Sequence, residues 1–159
     1  GTAIAARVLG MDYYTYVVTG DGELDEGSNW EGLMTIRHYN LTNCITIVDR
    51  NHCMIDGNTE DVMKLEPLAD KFVAFGFHTI VCEGNNIVSL CKAIDEAHKT
   101  KDKPTVIVAD TIKGVGIKLT SGNYKWHYGA IDEEMAKVAA KDLDEYSAER
   151  IARCGKEFE

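Results

Sequence analysis

Four short runs of β-branched and apolar residues recur along the chain with little polar alternation: Thr15–Thr19 (TYVVT), Cys44–Val48 (CITIV), His78–Cys82 (HTIVC) and Thr105–Ala109 (TVIVA). A strand with one face in water alternates apolar with polar, whereas a continuous run belongs to a sheet covered on both faces. The intervening segments repeat at helical spacing. One helix is expected from about Glu26 to His38, and another from Leu68 to Phe75, ended by Gly76. A third runs from Ile87 to His98, with Ile87, Leu90, Cys91, Ile94 and Ala97 on one stripe. Strands alternating with helices give an α/β fold, a mainly parallel sheet with helices on both faces.

The remaining segments fit around that frame. Gly1 to Leu9 reads as a helix of small side chains that starts without a cap. Thr59, followed by Glu60 and Asp61, offers an N-terminal cap for a helical turn. Residues 111–129 read as a long loop containing Gly and Lys, and Asp132 to about Arg153 as a charged helical tail in one or two pieces. With 159 residues, 45% hydrophobic and 27% charged, the chain suffices for one good core, so residues 1–159 are read as a single domain with 132–159 its helical tail.

Composition excludes several function classes. No run approaches the roughly 18 to 20 apolar residues of a membrane span, and no basic-then-apolar leader opens the sequence. Seventeen Lys and Arg against 26 Asp and Glu give a net charge of −9, which disfavours a broad nucleic-acid surface. An anionic ligand therefore needs a local device, such as backbone N–H groups or a metal. The five cysteines, Cys44, Cys53, Cys82, Cys91 and Cys154, are odd in number and form no C-x-x-C pair. Reduced thiols in the cytoplasm fit them better than a disulfide frame or a zinc site.

In a parallel sheet, ligands bind beyond the C-terminal ends of the strands. The first run is followed by Gly20-Asp21-Gly22-Glu23, the second by Asp49-Arg50-Asn51-His52-Cys53. Asp21 brings a carboxylate, Asn51 an amide oxygen, and the chain beyond Asn51 can turn a carbonyl inward. These hard oxygen donors suit Mg²⁺ or Ca²⁺ bound together with a phosphate. Gly20 and Gly22 let the backbone approach an anion and point N–H groups at it. A Gly-Asp-Gly standing alone is usually a turn, but the second element, 30 residues from Asp21 to Asn51, points to a diphosphate bridged by a metal. Asp49 and Arg50 are expected to be structural or solvent-facing, and His52 and His78 to carry no function.

Gly20-Asp21-Gly22, followed about thirty residues later by an Asn beyond an apolar strand, resembles the thiamine diphosphate motif. The blocks GDGELDEGSNWEG, IVDRNHCMIDG, LEPLADKFVAFGF, KPTVIVADTIKGVG and KWHYGA together resemble the cofactor-binding domain of transketolases, and among these the N-terminal subunit of split transketolases. By that resemblance, Asp21 and Asn51 ligate Mg²⁺ (or Ca²⁺) by side chain and Cys53 by its carbonyl. Gly22 donates its N–H to the diphosphate, with Gly20 and Glu23 in the same motif. Ile112 and Lys113 fall in the block lying along the cofactor. His127 matches a histidine reaching both diphosphate and substrate, and Glu26 an acid in a carboxylate path between two active sites. Glu26 is also where a helix dipole favours an acid.

The resemblance implies transfer of a two-carbon ketol unit from a ketose phosphate to an aldose phosphate. It implies a partner subunit carrying the pyrimidine-binding domain and the activating glutamate, in a homodimer or heterotetramer, with this chain inactive alone. Transketolase-like chains carry a sizeable segment before the residues matching Gly1-Thr2-Ala3, so the domain is expected to be incomplete at its N-terminus. Within the superfamily the alternatives are a 1-deoxyxylulose-5-phosphate synthase or a 2-oxo acid dehydrogenase E1 component. Outside it, a truncated non-catalytic interaction module remains.

Overall fold

The computed structural model describes residues 1–154. Four strands, β1 (Thr15–Gly20), β2 (Cys44–Arg50), β3 (His78–Glu83) and β4 (Thr105–Asp110), form one fully parallel sheet in the order β1-β2-β4-β3. The register pairs Val18 with Ile47 and Ile47 with Ile107 across its centre. Each strand runs one or two residues past its apolar run, because the ladder continues to Gly20↔Asp49 and Arg50↔Asp110. Those polar extensions bring the strand ends to one edge of the sheet.

Helices cover both faces. On one, α2 (Gly27–His38) and α4 (Leu68–Ala74) pack Leu33, Leu68 and Phe72 against Val48, Val106 and Val108, with Trp30 stacked on Phe72 at 5.7 Å. The short α1 (Thr2–Val8) joins them, seating Ala3 on Leu41 and Cys44. On the other, α5 (Ile87–Lys99) brings Ala93 and Ala97 onto Ile45 and Ile107, small side chains that let the helix approach closely. Asn86 caps α5 by accepting from Val88 N and Ser89 N at 3.0 and 3.3 Å.

Several details differ from the sequence reading. A 3₁₀ turn, Gly22–Asp25, follows β1, so α2 starts at Gly27 with Glu26 as its N-cap. Thr59 lies inside the short helix α3 (Thr59–Val62), whose N-cap is Asn58. The 111–129 loop holds a second 3₁₀ turn, Tyr124–His127. The charged tail is a single helix, α6 (Glu133–Cys154), and residues 155–159 of the expected tail lie outside the described residues. Cys44, Cys53, Cys82 and Cys91 are free thiols, and among the described residues no helix is long and apolar enough to cross a membrane.

Candidate functional site

A cavity of about 410 Å³ opens beyond the strand ends, lined by Gly20, Asp21, Gly22, Glu23, Glu26, Asn51, Cys53, Lys113 and His127, with Met54, Ile55 and Asp56 completing its wall. The fold delivers these residues from three places. β1 ends at Gly20, and Asp21 N donates to Asp49 O at 3.1 Å, which pins the turn to the end of β2. β2 ends at Arg50, and Asn51 to Cys53 lead into a tight loop closed by Met54 N on Gly57 O at 2.9 Å. The third wall is the loop after β4, tied back by Thr111 N on Arg50 O at 3.0 Å.

Asp21 is wholly buried. Its Oδ1 accepts from Gly22 N at 2.8 Å, and its Oδ2 accepts from Arg50 Nη1 at 2.8 Å and His52 N at 2.7 Å. His52 reaches that oxygen with its backbone because it sits at φ +62°, in the left-handed region. Arg50, 3% exposed, is buried rather than solvent-facing. Its guanidinium also donates to Thr59 Oγ1 at 2.6 Å, Glu60 Oε1 at 2.8 Å and Glu66 Oε1 at 2.9 Å. Burial pulls the arginine's pKa down, but its bonds to Asp21 and Glu66 outweigh this and hold it above the usual value.

Asn51 is oriented by a carboxylate. Its Nδ2 donates to Asp49 Oδ2 at 3.0 Å, so its Oδ1 is the acceptor end and takes Cys53 N at 3.1 Å. Asp49 is fixed in turn by the Thr111 hydroxyl on its other oxygen. Burial pushes the Cys53 thiol pKa up. Among the described residues, no three His, Cys, Asp or Glu side chains form a metal cage. A mixed set of carboxylate, amide and carbonyl oxygens leaves positions for phosphate oxygens.

The glycine turn is a close approach: a Cβ on Gly22 would lie 2.8 Å from Met54 Cβ. Only glycine keeps that N–H next to the second loop. Gly20 N and Gly22 N donate to Glu23 Oε2 and Asp21 Oδ1 at 3.1 and 2.8 Å, so the fit to a metal-bridged diphosphate rests on the oxygen donors of Asp21 and Asn51.

The family described as "Transketolase, thiamine diphosphate binding domain" matches residues 7–148. The chain belongs to the transketolase family. It is 36% identical to an apulose-4-phosphate transketolase subunit from Phocaeicola vulgatus over 99% of this chain and 54% of that protein. It is 40% identical to the protein of the same name from Actinobacillus succinogenes, over 90% of this chain and 51% of that protein. Among solved structures, Campylobacter jejuni transketolase superposes with a TM-score of 0.80 at 30% identity, covering 89% of this chain and 23% of that one. The chain therefore spans about half the length of the curated relatives it matches. These similarities do not favour the synthase, dehydrogenase or non-catalytic alternatives.

Within this transketolase domain, Gly20, Asp21, Gly22, Glu23, Glu26, Asn51, Cys53 and His127 meet in one cavity. Ile112 is not part of that lining. Its N–H donates to Asn85 Oδ1 at 2.6 Å and its side chain is half exposed, while its neighbour Lys113 lines the cavity instead. Asp49 and Arg50 take the structural role expected of them, and Arg50 does so buried. A signal existed for Arg50, which lies two residues past Val48 on the buried face of β2.

Proposed function

We propose that this chain is the diphosphate-binding component of a transketolase of the split type, moving a two-carbon ketol unit from a ketose phosphate to an aldose phosphate. The observation that carries the reading is the convergence of Asp21, Asn51, the Gly20–Gly22 backbone and His127 on one cavity at the strand ends. The relatives are themselves named as transketolase subunits, which supports a second, partner subunit. That partner would bring the pyrimidine-binding domain and the activating glutamate, in a homodimer or heterotetramer working in the cytoplasm.

Thiamine diphosphate, when bound, supplies an ylid and an electron sink. Asp21, Asn51 and the Cys53 carbonyl would hold Mg²⁺ or Ca²⁺ against its diphosphate. Gly22 would turn its N–H from Asp21 Oδ1 to a phosphate oxygen, and the Lys113 ammonium would add a positive charge to the cavity wall. His127 would donate to a phosphate oxygen and to the substrate oxygen on which charge develops. Glu26, at the exposed start of α2, would carry a proton path toward a second active site.

Calorimetry on the assembled enzyme tests the reading. Asp21→Ala removes the only side-chain carboxylate of the donor set, so binding of thiamine diphosphate with Mg²⁺ should fall below detection. Cys53→Ala should bind both, because only the main chain is used. Unchanged affinity in Asp21→Ala would refute the metal assignment, and a large loss in Cys53→Ala would mark the thiolate as the ligand instead.

A further inference from the structure

Arg50 is the most heavily engaged buried side chain among the described residues, yet the proposed chemistry gives it no role. It sits between the candidate metal ligand and two further segments. Nη1 bridges Asp21 Oδ2 and Thr59 Oγ1, Nη2 reaches Glu60 and Glu66, and Nε donates to Glu66 Oε1 at 3.2 Å. A guanidinium has five N–H donors in a rigid fork, so this one group locks the turn after β1, the start of α3 and the residue before Pro67 into one unit.

Two consequences follow for Asp21. A carboxylate has about four acceptor positions. Two donors, Arg50 Nη1 and His52 N, occupy Oδ2, whereas Oδ1 carries only Gly22 N. The carboxylate cannot rotate without breaking a bond to a side chain that is itself 3% exposed. Arg50 therefore selects which oxygen remains available. Its charge is also divided: Glu60 and Glu66 hold the far side of the guanidinium at 2.8 and 2.9 Å. With three carboxylates around one cation, Asp21 keeps enough negative charge to attract a divalent ion.

We infer that Arg50 is the positioning residue of the metal site: it presents Asp21 Oδ1 to the cation while Glu60 and Glu66 keep its own charge from competing. This rests on the reading of Asp21 as a metal ligand. Groups that orient a ligand in this way typically change metal affinity 10- to 100-fold when removed.

The test uses the full-length protein in complex with its partner and titrates Mg²⁺ by calorimetry at saturating thiamine diphosphate. Arg50→Gln should weaken Mg²⁺ binding by about 10- to 100-fold, and Arg50→Lys should recover only part of the loss, since an ammonium is a point donor without the fork. Unchanged or tighter binding in Arg50→Gln overturns the inference. So does a lower melting temperature of the metal-free protein with Mg²⁺ affinity intact, the signature of a purely structural arginine. Should Arg50→Gln fail to fold, Glu66→Gln decides: Glu66 is 53% exposed, and its loss throws more of the guanidinium charge onto Asp21. Mg²⁺ affinity should then fall several-fold, and no change overturns the inference. Asp21→Asn, run in parallel, separates the two levels. If it too binds Mg²⁺ normally, the metal reading of Asp21 has failed; if it alone loses the metal, only the role of Arg50 has.

Discussion

His127 projects from an exposed 3₁₀ turn into the cavity, and among the described residues none engages its ring nitrogens. The turn is set by Asn123, whose side chain accepts from Lys125 N at 3.1 Å and whose carbonyl accepts from Trp126 N at 3.1 Å. A donor used mainly in the transition state lowers kcat more than it raises KM when lost. His127→Ala in the assembled enzyme should thus lose about 10²-fold in kcat/KM, the scale of one oriented donor. Thiamine diphosphate should still bind, because in the proposed site Asp21, Gly22 and Asn51 would hold its diphosphate without His127. Steady-state kinetics with a ketose donor and an aldose acceptor would show it, and wild-type turnover would remove His127 from the site. The sequence made Asp21, Gly22 and Asn51 legible because their chemistry is local: a carboxylate between two glycines after one strand, an amide after the next. Arg50 was not legible in the same way. Its partners Asp21 and Glu66 lie 29 and 16 positions away, and only folding brings them together.

At the scale of elements, the long loop after β4 owes its position to a helix that contributes no residue to the cavity. Asp142 on α6 is buried, and its Oδ2 accepts from Lys118 N at 2.9 Å while its Oδ1 lies 3.3 Å from Lys118 Nζ. Gly116, at φ +98°, lies where a Cβ would meet Tyr146 and Leu143 of the same helix at 3.0 and 3.1 Å. Within the loop, Gly122 N donates to Lys113 O at 2.8 Å. Asp142→Ala removes the partner of a main-chain N–H at an exposed residue, a loss of about 0.5–1.5 kcal/mol. We expect a lower melting temperature and faster hydrogen exchange at the Lys118 amide, with β2 and β4 amides still protected. Uniform loss of protection would mean that α6 supports the whole sheet rather than this loop. The four strands were legible because their composition suits both-face burial, and α5 because its stripe is periodic. The role of α6 was not, since its charged pattern says nothing about which of its acids points inward.

Over the whole molecule, coverage of the sheet is uneven. β2 and β4 are enclosed on both faces, but β1 stands at an edge with Tyr16 46% and Val18 68% exposed. Val8, Leu9 and Met11, just upstream, are exposed as well. An apolar parallel strand with an unpaired edge is a surface prone to association. When the 159-residue chain is alone in solution, pairing this edge with a second copy removes apolar surface from water, and charge opposes the pairing. A net charge of −9 per chain resists dimers at low ionic strength, and raising salt to 0.15 M or above shortens the screening length to about 8 Å or less. The isolated chain should therefore form dimers or larger species by sedimentation at tens of micromolar, more so as salt rises. Adding the partner subunit should replace self-association by a defined complex. A monomer that persists at every salt and protein concentration would show that β1 needs no cover.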